Sequence, residues 1–200
     1  FFFSLTPSMS FVLQQLERHG LGWLIAARAN GDYAAIRARE SELRAFDPIY
    51  LGAFADHLRR VEVGERVLVW ANVSPPDDGL LITGVRGLAF LREVAIARIF
   101  AAPGAMVRVD WNEQGLEICQ VALGYGADSW QGRLSNRKGL VLADDAAKKI
   151  KGQGMVALQT LKMQEMERVL RGAGRQIHYA DETSGDQGAA PRAALREVHP

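Results

Sequence analysis

Apolar positions recur at helical spacing in some stretches of the chain and alternate with polar ones in others, and the changes of period mark its elements. Thr6-Pro7 opens a helix with a capping hydroxyl and a proline in the first turn, and Gly20 closes it after Arg18-His19. Leu21 to Ala27 is an apolar run that reads as a short strand. Asn30-Gly31-Asp32 caps a second helix, which runs to Phe46 and is stopped by Asp47-Pro48. Tyr50, Leu51, Phe54, Leu58 and Val61 fall on one face of a third helix that ends at Gly64. Arg66-Val67-Leu68-Val69-Trp70 is rich in β-formers, Ser74 to Gly79 is a loop, and Leu80-Leu81-Ile82-Thr83 reads as a short buried strand. Directly after Gly87, Leu88, Leu91, Val94, Ala95 and Ile99 mark an amphipathic helix.

Farther on, Met106 to Trp111 and Leu116 to Val121 alternate around Asn112-Glu113-Gln114-Gly115, the pattern of a β-hairpin at the outer part of a sheet. Cys119 then lies in a strand as a buried thiol. Gly124 to Gly132 has the composition of a mobile loop. Asp144-Asp145 starts a helix or helix pair that reaches Arg171, interrupted at Gly152-Gln153-Gly154 and closed by Gly172. Beyond Tyr179 the mixture of Gly, Ala, Asp, Glu and Pro cannot bury a core and reads as disordered.

With 200 residues, nearly half of them apolar, the chain can bury a core without metals or disulfides, and its single cysteine excludes an internal bridge. Those features imply a cytoplasmic domain. The stretch Phe1 to Leu16 carries no charge, yet it is too short and too polar to span a bilayer and lacks the pattern of a signal peptide. It reads as a helix packed on the core, or alternatively as a helix lying on a membrane surface. Charge is unevenly spread: residues 1–132 hold 12 Lys and Arg against 15 Asp and Glu, whereas residues 133–175 hold 10 against 4. All the lysines, Lys138, Lys148, Lys149, Lys151 and Lys162, lie in that second block. Together with Arg133 and Arg137, they form what contact with a phosphate backbone requires, although a solvated helix face has the same composition.

One loop carries candidate chemistry. Gly84-Val85-Arg86-Gly87 joins an apolar strand to a helix N-terminus, where unbonded amides and the helix dipole favour an anion. Glycines at 84 and 87 let backbone approach a phosphate, and Arg86 offers it a bidentate fork. The histidines show no ligand spacing for zinc, no Walker-type loop is present, and Asp128-Ser129 lacks a nucleophile elbow. Trp130, beside a glycine-rich segment and ahead of the basic block, is a candidate for stacking on a base.

The helix Tyr50 to Val61, the strand Val67 to Trp70, the strand and loop Leu80 to Gly87, the helix that follows and then Met106-Val107-Arg108-Val109 resemble the N-terminal domain of the ParB and sulfiredoxin superfamily. Its signature is a hydrophobic strand, a glycine, a variable residue, one or two arginines and a helix. The resemblance covers residues 47–111. This chain departs from it at Val85, where ParB has an acidic residue and sulfiredoxin its catalytic cysteine, and at Gly87, where ParB has a second arginine. No helix-turn-helix of ParB type follows. Within the superfamily, the general character of the chain is similar to plasmid fertility-inhibition proteins of the Osa type.

The resemblance implies an α+β fold, a ParB/sulfiredoxin-like mixed sheet with surrounding helices and added N- and C-terminal helices. The chain then divides into a helical extension (1–46), the core (47–132), a basic helical segment (133–175) and a disordered tail (176–200). It further implies binding and hydrolysis of ATP, with Mg²⁺ a candidate cofactor, cleavage of DNA, and interference with conjugative or T-DNA transfer through a type IV secretion system. Gly84, Arg86 and Gly87 would hold the phosphate, Arg59 and Arg60 would reach it from the preceding helix, and Arg86 and Glu93 would be catalytic. Glu62, Glu65, Asp77 and Asp78 are alternative carboxylates. Arg133, Arg137, Lys138, Lys148, Lys149 and Lys151 would hold DNA. Two other readings stay open: a non-catalytic inhibitor that binds a secretion component or the inner membrane surface, and a DNA-binding accessory protein.

Overall fold

The computed structural model describes residues 7–75, 79–135, 147–148, 156–157, 161–180 and 196–197. Five helices open the chain: α1 (Pro7–Arg18), α2 (Gly22–Ala29), α3 (Tyr33–Ala38), α4 (Glu40–Ala45) and α5 (Pro48–Glu62). Asp47 caps α5, its side chain accepting from Ile49 N at 2.8 Å, and Pro48 fills the first turn. The run Leu21 to Ala27 is helical rather than extended, because Leu24 and Ala27, one turn apart, enter the same buried cluster as Leu16 and Leu21. A short apolar run does not reveal its period, and here tertiary packing chose it. The expected second helix is broken at Arg39, which ends α3 and begins α4.

The remaining elements are β1 (Arg66–Ala71), β2 (Leu80–Leu81), α6 (Gly87–Phe100), β3 (Val107–Asp110), α7 (Trp111–Gln114), α8 (Leu116–Ala122), a 3-10 turn (Leu123–Tyr125), β4 (Ser129–Gly132), β5 (Leu134–Ser135), β6 (Ala147–Lys148), β7 (Val156–Ala157), β8 (Leu161–Lys162), α9 (Met163–Gly172), β9 (Gln176–Tyr179) and β10 (Arg196–Glu197). The principal sheet has the order β10-β9-β1-β4-β3-β2. Its five strands β9, β1, β4, β3 and β2 are parallel, and β10 pairs antiparallel with β9. The chain is thus a mixed α and β fold built around a parallel sheet.

Several expectations are corrected by this sheet. Residues 106–121 do not form a hairpin: β3 is an interior strand and the residues after it are α7 and α8. Asp110 caps α7, accepting from Asn112 N at 2.7 Å, and Gly115, at φ 84°, makes the left-handed break between the two helices. Cys119 is buried, but in α8. The glycine-rich segment 124–132 is not a loop throughout, since β4 lies between β1 and β3. Leu80 and Leu81 occupy the edge strand and are 43% and 39% exposed rather than buried. The segment 176–200 begins with a strand, β9, hydrogen-bonded beside β1, and not with a disordered tail. In the basic block, α9 is the helix that the described residues contain, while 147–148 and 156–157 are extended. Asp144, Asp145, Gly152-Gln153-Gly154 and most of the tail lie outside the described residues.

Two apolar clusters hold the layers together. One joins Val67, Val69, Val107, Val109 and Trp130 of the sheet to Phe90, Leu91 and Val94 of α6, with Cys119 of α8 and Met166 and Leu170 of α9. The other packs α1 to α5 against the opposite stripe of α6, Ala95 and Ile99. Helix α6 is buried on two sides, which accounts for its near-continuous apolar sequence. Among the described residues no helix is long and apolar enough to cross a membrane.

Candidate functional site

The loop Gly84–Gly87 lies at the carboxyl end of the parallel sheet, between β2 and α6. Backbone bonds from Leu80 N to Met106 O and from Ile82 N to Arg108 O fix β2 on β3 at 2.9 and 3.1 Å. Ile82 and Val85 pack on the core, so the loop is anchored from beneath. Gly84 at φ 77° and Gly87 at φ 60° are both left-handed, and no atom outside their immediate chain neighbours lies within 4 Å of where a Cβ would stand at either. Arg86 is the N-cap residue of α6, extended and exposed, and its side chain makes no capping bond. The loop thus presents open space above two glycines, a helix start without a side-chain cap and an exposed arginine.

Sequence reasoning missed what docks on this loop. Gly84 N donates to Glu113 Oε1 at 3.0 Å, and Gln114 Nε2 donates to Val85 O at 2.9 Å. A carboxylate thus already sits on one amide of the loop, consistent with the preference of such backbone for an anion. The signal was available: Asp110-Trp111-Asn112-Glu113 has the spacing of a capping box, which starts a helix instead of turning a hairpin. Here the Glu reaches across to Gly84.

The other candidates are distributed elsewhere. Glu93 pairs with Arg44, which also holds Glu40 at 2.7 Å, so it ties α6 to α4. Arg59 is fully buried at the amino end of β1, where it bonds Gly64 O and Asp56, with Arg60, Glu65 and Arg175 in the same cluster. Arg59 and Arg60 therefore stand at the opposite end of the sheet from the glycine loop. Glu62 is at that amino end too, between Arg28 and Arg98. Asp77, Asp78, Arg137, Lys138, Lys149 and Lys151 lie outside the described residues, as does the side chain of Lys148. Arg133 is exposed, and its carbonyl accepts from Trp111 Nε1 at 3.0 Å. Trp130 is fully buried between β1 and β3 and has no face to offer a base.

Among the described residues no group of three or more His, Cys, Asp or Glu is gathered as a metal site. Magnesium on a nucleotide commonly takes only one or two carboxylates beside phosphate oxygens, and Glu113 is the carboxylate at the loop. Beneath α7, burial first and the charges of Asp110 and Glu113 second push the Cys119 thiol up to about 12. Only about one thiol in ten thousand is then ionised at pH 8. Iodoacetamide at that pH is expected to modify native protein at least about 100-fold more slowly than urea-unfolded protein. Complete modification of folded chain within minutes would contradict the burial. In comparisons with known proteins, no family model and no curated protein matches the chain.

Proposed function

We propose that the protein binds the phosphates of a nucleotide at the Gly84–Gly87 loop, with ATP as the first ligand to test. The observation that supports this most is the pairing of open left-handed glycines with an uncapped helix start and an exposed Arg86, at the carboxyl edge of a parallel sheet where ligands of such sheets bind. Arg86 and the loop amides beyond Gly84 N, which Glu113 occupies, hold the phosphate oxygens. Glu113, rather than Glu93, is the carboxylate in position to carry Mg²⁺ or orient a nucleophile, because Glu93 is engaged by Arg44. The resemblance to the ParB and sulfiredoxin superfamily adds ATP hydrolysis, cleavage of DNA gripped by the basic block 133–175, and inhibition of conjugative transfer.

Calorimetric titration with ATP, with and without Mg²⁺, tests the reading. Arg86→Ala removes a charge-assisted bond and is expected to weaken binding about 10- to 100-fold while the fold survives. Unchanged affinity in a folded Arg86→Ala variant would overturn the site. Parallel assays of ATP hydrolysis and DNA degradation separate catalysis from binding. Binding with no turnover favours the second reading, a non-catalytic inhibitor that binds a secretion component or the inner membrane surface.

A further inference from the structure

Helix α7 is a single turn, and the chain on either side fixes both of its ends. Asp110 caps its start, accepting from Asn112 N at 2.7 Å, the buried Trp111 anchors its first residue, and Gly115 at φ 84° turns the chain away after it. Its last two side chains reach the glycine loop, across 29 residues of sequence. Glu113 Oε1 accepts from Gly84 N at 3.0 Å, and Gln114 Nε2 donates to Val85 O at 2.9 Å. Two consecutive loop residues are thus clasped, one by its donor and one by its acceptor. Among the described residues Glu113 makes no ion pair, so Gly84 N is what holds its carboxylate in place. Arg86, two residues beyond Gly84, stays exposed and does not pair with it.

A carboxylate is well hydrated in water, so a hydrogen bond that it makes at an exposed position adds little stability and is open to exchange. The fold does not depend on this one, because Ile82 and Val85 anchor the loop to the core and Trp111 anchors α7. What the contact does is place a negative charge on the amide where a phosphate oxygen would bond. We infer that α7 is an autoinhibitory latch on the loop: Glu113 holds Gly84 N in place of the ligand's anionic oxygen and must be displaced before a phosphate seats. The inference rests on phosphate binding at Gly84–Gly87 and adds the regulation of that site. Arg86, left free by the latch, is the group that meets an incoming anion first. As the phosphate oxygen takes Gly84 N, the Glu113 side chain turns out into water while Gln114 keeps α7 docked on Val85 O.

Two readouts separate the latch from the binding that it regulates. Without ligand, amide hydrogen exchange followed by NMR is expected to show Gly84 N–H exchanging at least about fivefold faster in Glu113→Ala than in the native chain. Inorganic tripolyphosphate is then titrated calorimetrically into the full chain without divalent cations, so that a metal held by Glu113 plays no part. Glu113→Ala, and Glu113→Asp, which keeps the charge but not the reach, are each expected to bind it at least about fivefold more tightly than wild type, the strength of one hydrogen bond to a charged group. Glu117→Gln, which removes an exposed charge from the neighbouring α8, is expected to change affinity less than about twofold. Unchanged exchange at Gly84 overturns the latch. So does a gain in Glu117→Gln as large as that in Glu113→Ala, or a Glu113→Asp variant as weak as wild type, because charge alone would then exclude the ligand. Equal binding by wild type and Glu113→Ala overturns the latch and leaves the loop a phosphate site, whereas no binding by either overturns the phosphate reading and the latch with it.

Discussion

Replacing Asp128 by alanine is expected to lower the unfolding free energy by about 3–5 kcal/mol, the cost of stranding a buried charge. Asp128 immediately precedes β4. Its Oδ1 accepts from Val107 N at 2.8 Å, and its Oδ2 lies 2.8 Å from Arg98 Nη2. Arg98 is fully buried, and its other nitrogens donate to Gly126 O at 2.9 Å and Ala105 O at 2.8 Å. One guanidinium therefore joins α6 to the segments that enter β3 and β4. Without Asp128 the nearest remaining carboxylate is Glu62, 3.7 Å away and already shared with Arg28. Burial lifts the carboxyls of both Asp128 and Glu62 above their ordinary range, against the opposing pull of the arginines. Their ionised forms are thus held at a cost that only the paired geometry offsets. Urea unfolding at pH 7 measures the loss, and Asp128→Asn, which keeps the acceptor for Val107, is expected to lose less. By contrast Glu40→Ala, which breaks the exposed pair with Arg44, is expected to stay within about 0.5 kcal/mol. A loss below about 1 kcal/mol in Asp128→Ala would mean that Arg98 finds another acceptor.

The elements that could be read from the chain are those with their signals inside them. Helix α5 has its cap, its proline and its apolar stripe in sequence order, β1 is a run of β-formers, and α6 follows a glycine with a sustained helical period. The elements that could not be read are those made by their neighbours. Ser129-Trp130-Gln131-Gly132 has no alternation of its own and is extended because β1 and β3 bond it from both sides. Gln176 to Tyr179 sits beside a stretch of tail-like composition, and its place is set by pairing with β1, more than a hundred residues earlier. The glycine loop was legible as a backbone device. Glu113 on it was not, because the contact spans 29 residues and depends on α7, a helix hidden within a convincing turn signal.

The same distinction sorts the arginines. Arg28, Arg59, Arg98 and Arg175 converge with Asp56, Glu62, Glu65 and Asp128 at the amino end of the sheet, where they close the helical layer over the strand starts. Charge alone could not separate these from Arg86 and Arg108, which stand toward the carboxyl end. Burial does not separate them either, since Arg108 is 3% exposed, less than Arg28 and Arg175 at 8%. Arg108 differs in its place: its guanidinium carbon lies 5.6 Å from the Trp70 ring centroid, on the face of the sheet that also carries Ser129.

Gly132→Ala is expected to be the other severe change, costing about 2–5 kcal/mol from overpacking and backbone strain combined. Gly132 ends β4 at φ 150°, and its amide plane is held by the bond from Asn72 N to Gly132 O at 3.0 Å. An added Cβ would fall 2.4 Å from Trp111 Cε2 and 2.7 Å from Cδ2 and Nε1, inside any real contact distance. The ring cannot easily yield: Trp111 is buried, packs against Trp130 with centroids 6.3 Å apart, and donates to Arg133 O. Gly124→Ala, with open space around it and an ordinary backbone, is the matched control and is expected to change stability by less than about 0.5 kcal/mol. Because Trp111 is the first residue of α7, a ring forced outward carries Glu113 and Gln114 with it and releases Gly84 N and Val85 O. The Gly132 variant should therefore show altered phosphate affinity at the glycine loop as well as a lower urea midpoint. Equal midpoints for the Gly132 and Gly124 variants would mean that the indole does not press on β4, and the coupling between that strand and the loop would fall with it.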